Sequence, residues 1–259
     1  MGKYGEILDG FYEERTRMLD ALAQEENKHI LMRLIGALAF RTHCSQYGYI
    51  QDKLGRKFTD FDFISYPRFV RDARRVLTEL GYEEDKQVTQ LFGDRRMLFH
   101  DPAFGRHVDI FLNVLDFCHP VNFVGRLEAE ELTVPLAELL LEKMQIVQIN
   151  EKDLIDSVML LREHPIGDID KETINAKVIV HILSSDWGFW RTFTGNLKLL
   201  DQKLAAYGDL SDEDRQVVHA RIQELQQRID AAPKSLKWKA RAQVGERVKW
   251  YKEVEELER

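Results

Sequence analysis

The sequence predicts an α+β fold: a small mixed β-sheet with flanking helices over residues 1–165, followed by an α-helical half over residues 166–259. Three observations carry that expectation. Phe58-Thr59-Asp60-Phe61-Asp62-Phe63-Ile64-Ser65 alternates polar and apolar residues at a period of two, as a half-buried strand does. Directly after it, Phe69, Val70, Ala73, Val76, Leu77 and Leu80 recur at helical spacing. Beyond Asp170 the helical period runs on with few breaks. At 259 residues, 44% hydrophobic and 31% charged, the chain has an ordinary globular composition and the length to bury a sizeable core.

In chain order, Ile7, Leu8, Phe11, Met18, Leu19 and Leu22 form the apolar stripe of a helix over residues 5–23. The short run from His29 to Ile35 reads as a strand that ends at Gly36, and a short helix follows from Ala37 to Cys44. Gly48 and Gly55 bracket a loop that leads into the acidic strand. Tyr66-Pro67 ends that strand, Pro67 suiting the first turn of the next helix, which Gly81 terminates. Apolar runs on either side of Gly93-Asp94 predict a hairpin, Val88 to Phe92 and Arg96 to His100. After Asp101-Pro102, Arg106 to Leu112 reads as another strand. Pro135 opens a helix through Ile149, and Asn150 caps a helix from Glu151 to Glu163. Pro165 and Gly167 mark the boundary between the two halves. Ser211 to Asp214 has the form of a capping box, and Pro233 precedes a last helix.

Net charge is −7, so no global positive field attracts nucleic acid or an anionic membrane, and a polyanion site has to be a local patch. Two cysteines, Cys44 and Cys118, are too few for a disulfide framework and read as small buried hydrophobes. No run approaches the roughly 20 apolar residues of a membrane span, and MGKYGEILDGFYEERTR lacks the apolar core of a secretory signal. A cytoplasmic protein with no membrane partner is expected.

The chemistry concentrates on carboxylates. On a strand, Asp60 and Asp62 point the same way, roughly 7 Å apart. Two carboxylates that close repel unless a cation sits between them or one keeps its proton. Asp109, in the run His107-Val108-Asp109-Ile110, adds a third acidic group on a second strand. Hard divalent cations take oxygen ligands of this kind.

The order of parts, rather than any one motif, resembles the polymerase β-like nucleotidyltransferase superfamily, and within it the minimal and AbiEii-type bacterial branches. The residues are Leu34-Ile35-Gly36-Ala37-Leu38-Ala39, Phe58-Thr59-Asp60-Phe61-Asp62-Phe63 and His107-Val108-Asp109-Ile110. Downstream, Leu140-Leu141-Glu142-Lys143-Met144-Gln145 and Lys152-Asp153-Leu154-Ile155-Asp156 resemble the branch's lysine helix and Asp-bearing helix. The resemblance implies a nucleotidyltransferase fold that moves a nucleotide from an NTP to an acceptor, which the sequence does not identify among protein, RNA and small molecule. It implies Mg²⁺ (or Mn²⁺) on Asp60, Asp62 and Asp109, with Gly36 and Ala37 presenting backbone N–H groups to the triphosphate. An antitoxin is a further implied partner. The chain departs from the pattern in having Ala37 at the second glycine or serine and a long loop between Gly36 and Asp60. A nucleotide-binding protein without catalysis, and a metal-dependent hydrolase, are the alternative readings.

Lys143 shares a helical stripe with Leu136, Leu139, Leu140 and Val147, so it has to snorkel, pair with a carboxylate or meet an anion. As a candidate catalytic residue it would meet the triphosphate. Asp153 and Asp156 fall on the side of their helix away from Leu154 and Val158, which predicts a solvated face. Arg56, Lys57, Arg95, Arg96 and Arg106 are unassigned cations near the acidic strands, and His43, His107 and His119 lack zinc-ligand spacing. At the C-terminus seven Lys and Arg residues interleave with Trp238, Trp250 and Tyr251. There Leu236, Ala240, Val244, Val248 and Tyr251 predict a packed seam, with the charges solvated. Trp187-Gly188-Phe189-Trp190 reads as a core cluster.

Overall fold

The computed structural model describes residues 4–56, 58 and 60–254, with backbone alone for residues 4–9. Ile7 and Leu8 of the first stripe, Lys57, and Thr59 of the acidic strand therefore lie outside the described side chains. The chain forms two compact units. The first takes residues 1–42, 57–115 and 122–134; the second takes 43–56, 116–121 and 135–259. The division expected at 165/166 rests on Pro165 and Gly167, whereas these units follow contacts.

The first unit is α+β. Its elements are α1 (Tyr4–Ala23), β1 (Met32–Ile35), α2 (Gly36–His43), β2 (Asp60–Ser65), α4 (Val70–Glu79), β3 (Glu83–Glu84), α5 (Lys86–Phe92), β4 (Arg96–His100) and β5 (His107–Leu112), α3 (Tyr49–Lys53) belonging to the other unit. A five-stranded mixed sheet has the order β1-β2-β5-β4-β3. β2 runs parallel to β5; the β1–β2, β4–β5 and β3–β4 pairs are antiparallel.

Register divides the sheet into two faces, because residues opposite one another on paired strands share a face. One row is Leu34, Phe63, Ile110 and Met97, and the next is Phe61, Val108 and Phe99. All seven are fully buried, and Phe11 of α1 packs on Phe61 with ring centroids 5.0 Å apart. Burying each such side chain is worth roughly 1.5–3 kcal/mol, so this face is the unit's core. The opposite face carries the rows Ile35-Asp62-Asp109-Leu98 and Asp60-His107-His100. The period of two thus puts every phenylalanine of Phe61-Asp62-Phe63 inside and every carboxylate of the acidic strand on one face. Tyr82, just past Gly81 (φ +90°), donates its hydroxyl to Glu14 of α1, and Glu14 pairs with Arg17 at 2.6 Å.

Three expected elements between residues 29 and 92 differ. Val88 to Phe92 is not a strand: Asp85 accepts hydrogen bonds from the N–H groups of Gln87 and Val88, both at 3.0 Å, and caps α5. A short apolar run does not distinguish strand from helix, and here the cap decides. The strand expected from His29 starts only at Met32. The loop between Gly48 and Gly55 folds as α3, which buries Ile50 and Gln51 in the second unit. The length between Gly36 and Asp60 is therefore taken up by a helix rather than by the β1–α2 turn.

The second unit is helical: α3, α6 (Leu136–Met144), α7 (Glu151–Glu163), α8 (Ala176–Ser185), α9 (Trp187–Lys203), α10 (Asp212–Ala231) and α11 (Leu236–Val244). Strands β8 (Ile166–Gly167) and β9 (Ile174–Asn175) pair in parallel before α8. The short strands β6 (Val114–Asp116) and β7 (Pro120–Asn122) lie where the chain leaves and re-enters the first unit. Caps are as the sequence predicts at Asn150 and at Ser211, where both bonds of the capping box form. α6 is shorter than expected and ends at Met144. α11 differs most. It buries no residue, and Leu236 is 85% exposed, so the expected seam is a surface stripe and not a packing face.

Trp187 and Phe189 are buried as expected, and Gly188 is required there, since a Cβ would lie 2.5 Å from the Trp250 carbonyl oxygen. Cys44 and Cys118 are both buried, as expected. His119 is also buried, its ring stacked 5.0 Å from Phe189 and its Nε2 2.8 Å from Thr192 Oγ1. Burial lowers its pKa from 6.5 to about 4. Between those values the unfolded chain binds the proton and the folded chain does not, so stability falls as pH drops through this window. Urea titrations at pH 6.5, 5.5 and 4.5 should show wild type losing stability more steeply than His119→Gln, by up to about 1.4 kcal/mol per pH unit. Parallel slopes would contradict this. Among the described residues no helix is long and apolar enough to cross a membrane.

Candidate functional site

The site begins at the end of β1. Gly36 has φ +67°, a left-handed conformation that only glycine adopts without strain, and it turns the chain directly into α2. A Cβ at Gly36 would lie 2.5 Å from Asp62 Oδ2 and 3.3 Å from Asp62 Cβ. The turn is thus pressed against the Asp62 carboxylate, possible only because residue 36 has no side chain. Ala37 follows at the start of α2, where helix N–H groups point outward and the helix dipole favours negative charge.

Asp60 lies two residues from Asp62 on the same face, and Asp109 is Asp62's direct neighbour across the parallel β2–β5 pair. Adjacent strands are about 4.8 Å apart, so the register brings the Asp62 and Asp109 backbones together. Asp109 is only 1% exposed. Its Oδ1 accepts a hydrogen bond from Arg96 Nε at 2.6 Å, and the Arg96 guanidinium also lies over the Phe111 ring at 5.3 Å. In Asp60's row, His107 Nδ1 is 2.8 Å from His100 Nδ1, and His100 Nε2 is 3.1 Å from Asp85 Oδ2. The Val88 N–H, and after it His100, hold the Asp85 carboxyl below its ordinary range.

Among the described residues no group of three or more His, Cys, Asp or Glu side chains is gathered to hold a metal ion. The donor set nonetheless suits a hard divalent cation at Asp60 and Asp62, which offer carboxylate oxygens on one face. Asp109 is the departure: its Oδ1 is engaged by a guanidinium.

Lys143 belongs to the second unit. Its Nζ lies 3.1 Å from Asp153 Oδ1, 3.3 Å from Asp156 Oδ2 and 3.9 Å from Glu142 Oε1. Burial opposes the ammonium charge, but Asp153, Asp156 and Glu142 together outweigh it, and the Lys143 pKa is raised above its ordinary value. Asp156 is not on a solvated face. It is fully buried, held by Arg56 Nε at 3.1 Å and Gln51 Nε2 at 2.7 Å as well as by Lys143. α7 is buried on all sides from Leu154 to Arg162, so its polar stripe faces paired cations rather than water.

The structure therefore places Gly36, Ala37, Asp60, Asp62 and Asp109 in the first unit, and Lys143, Asp153 and Asp156 in the second. Sequence reasoning left Arg96 and His100 unassigned. The signal was present, since Arg96-Met97-Leu98-Phe99-His100 alternates, and that alternation places Arg96 and His100 on the carboxylate face. Arg106 instead packs over Phe11 at 4.6 Å and donates to the Gly10 carbonyl at 3.2 Å.

Two further features are polar but self-contained. A groove of about 320 Å³ is lined by residues of α9 and α10, including Asp201, whose carboxylate takes His219 at 2.6 Å and Gln223 at 3.3 Å. The basic C-terminal stretch spends much of its charge internally: Arg241 donates to the Gly245 and Val248 carbonyls, and Lys252 pairs with Asp116. No protein-family model, curated protein or solved structure matches the chain.

Proposed function

We propose that the first unit is a Mg²⁺-dependent nucleotidyltransferase domain, which binds an NTP and transfers its nucleotide to an acceptor hydroxyl. The observation that carries this reading is the lodging of Gly36 against Asp62, because it joins an anion-favouring helix start to an Asp-x-Asp strand in one turn. Gly36 and Ala37 offer N–H groups to the triphosphate. Asp60 and Asp62 would hold Mg²⁺ or Mn²⁺ through carboxylate oxygens, and Asp109, beside Asp62, would be the third ligand and help activate the acceptor hydroxyl. When bound, the metal neutralises charge building on the α-phosphate and the leaving pyrophosphate. The pairing of Lys143 with Asp153 and Asp156 supports the part of the resemblance that joins a lysine helix to an Asp-bearing helix.

One observation favours a second reading, a nucleotide-binding protein without catalysis: Arg96 already neutralises Asp109. Label transfer separates the two. Incubated with Mg²⁺, [α-³²P]NTPs and a cell extract, the wild-type protein is expected to label an acceptor, and Asp60→Asn/Asp62→Asn is expected not to. Nucleotide binding with no label transferred supports the second reading, and phosphate release from [γ-³²P]NTP with no labelled acceptor supports a hydrolase.

A further inference from the structure

We propose that Arg96 is the resting counter-cation of Asp109, and that a divalent metal and the Arg96 guanidinium exchange at Asp109 Oδ1 when nucleotide arrives. The inference rests on the nucleotidyltransferase reading and adds to it how the site is kept closed to bare metal.

Asp109 sits in the middle of the sheet, in the row Ile35-Asp62-Asp109-Leu98, with 1% of its surface exposed. A buried carboxylate with no positive partner is strongly disfavoured, so the fold needs a cation there in the absence of metal. Arg96 supplies it from the neighbouring strand. It stands in register with Phe111, one step along the face from Asp109, and reaches back diagonally across that ring. The contact runs through Nε at 2.6 Å, not through the paired terminal nitrogens that make a bidentate clamp. Those nitrogens are the part of the group best suited to phosphate oxygens. The Arg96 side chain is 19% exposed, and its Nε holds the buried carboxylate.

Charge is conserved by an exchange. A metal that arrives as its nucleotide complex brings phosphate oxygens with it. With Asp109 Oδ1 given over to such a complex, the Arg96 guanidinium would pass from carboxylate to phosphate. A bare metal ion offers Arg96 no such destination and has to displace it into solvent. The site therefore discriminates against free divalent cations and favours their nucleotide complexes.

The test is Mn²⁺ binding to the protein, read from the electron paramagnetic resonance of the free ion with and without a non-hydrolysable NTP analogue, each against a protein-free titration that gives the Mn²⁺ held by the analogue alone. Wild type is expected to bind bare Mn²⁺ weakly and to gain about tenfold or more with the analogue present. Arg96→Met is expected to bind bare Mn²⁺ about tenfold or more tighter than wild type and to lose most of the gain from nucleotide. Arg96→Lys, which keeps a cation, should stay near wild type, and adding Asp109→Asn to Arg96→Met should abolish the tightening. A smaller change in bare-Mn²⁺ affinity, or none, overturns the exchange while leaving the nucleotidyltransferase reading in place. Should Arg96→Met fail to fold, Arg96→Gln makes the same comparison. Absence of Mn²⁺ binding by wild type in both conditions overturns the exchange and the reading beneath it.

Discussion

Asp156→Ala is expected to destabilise the second unit by about 3–5 kcal/mol, the cost typical of stripping one partner from a buried ion pair. Asp156 is wholly buried and receives Lys143, Arg56 and Gln51. Its removal leaves two largely buried cations with one carboxylate fewer. Lys143 would keep Asp153 and, more distantly, Glu142, whereas the Arg56–Asp156 pair at 3.1 Å would be lost outright. Asp153→Ala should cost less, because Asp153 is partly exposed. Urea denaturation followed by circular dichroism measures both. A loss below about 1 kcal/mol for Asp156→Ala would mean that the cluster relaxes or hydrates and that the polar stripe of α7 does not depend on its paired cations.

Gly36→Ala is the second large effect, expected at about 2–3 kcal/mol together with loss of nucleotide binding. Two causes add. The left-handed φ of +67° disfavours any residue with a Cβ, and that Cβ would meet Asp62 Oδ2 at 2.5 Å. To relieve the contact Asp62 has to turn or the β1–α2 turn has to open, and either change separates the helix start from the carboxylate. Ala37→Gly is the matched control, removing a methyl where no such contact is required, and should cost roughly 0.5–1 kcal/mol through backbone entropy alone. Equal stability of Gly36→Ala and wild type would show that the turn tolerates a side chain and that the approach of Asp62 is not a constraint.

The first unit's sheet was largely legible because its strands obey a period of two. The alternation of Asp60-Phe61-Asp62-Phe63 specifies which side chains face the core, and the register with β5 places Asp109 on the matching face. Gly36 was legible for the same local reason, a glycine where a strand turns into a helix. What escaped is set by tertiary contacts. Val88 to Phe92 is apolar enough for a strand, and only the capping of α5 by Asp85 makes it helical. Asp156 looks solvated on a helical wheel because periodicity records polarity and not the partners that let a carboxylate be buried. The reverse error occurred in α11, where an apolar stripe implied packing and Leu236 faces solvent. Arg96 shows a third limit: its strand and face were readable, but its bond to Asp109 depends on a diagonal reach across two strands.

The Gly36, Asp60 and Asp62 edge of the first unit is expected to bind a metal–nucleotide complex. Isothermal titration of each NTP with Mg²⁺ into wild type and into Asp60→Asn/Asp62→Asn tests it most directly. At least one NTP is expected to bind saturably, to need Mg²⁺ and to bind about 100-fold or more weakly in the double variant, a change of about 2.7 kcal/mol. Absence of binding to any NTP, or binding unaltered by the double substitution, would contradict it.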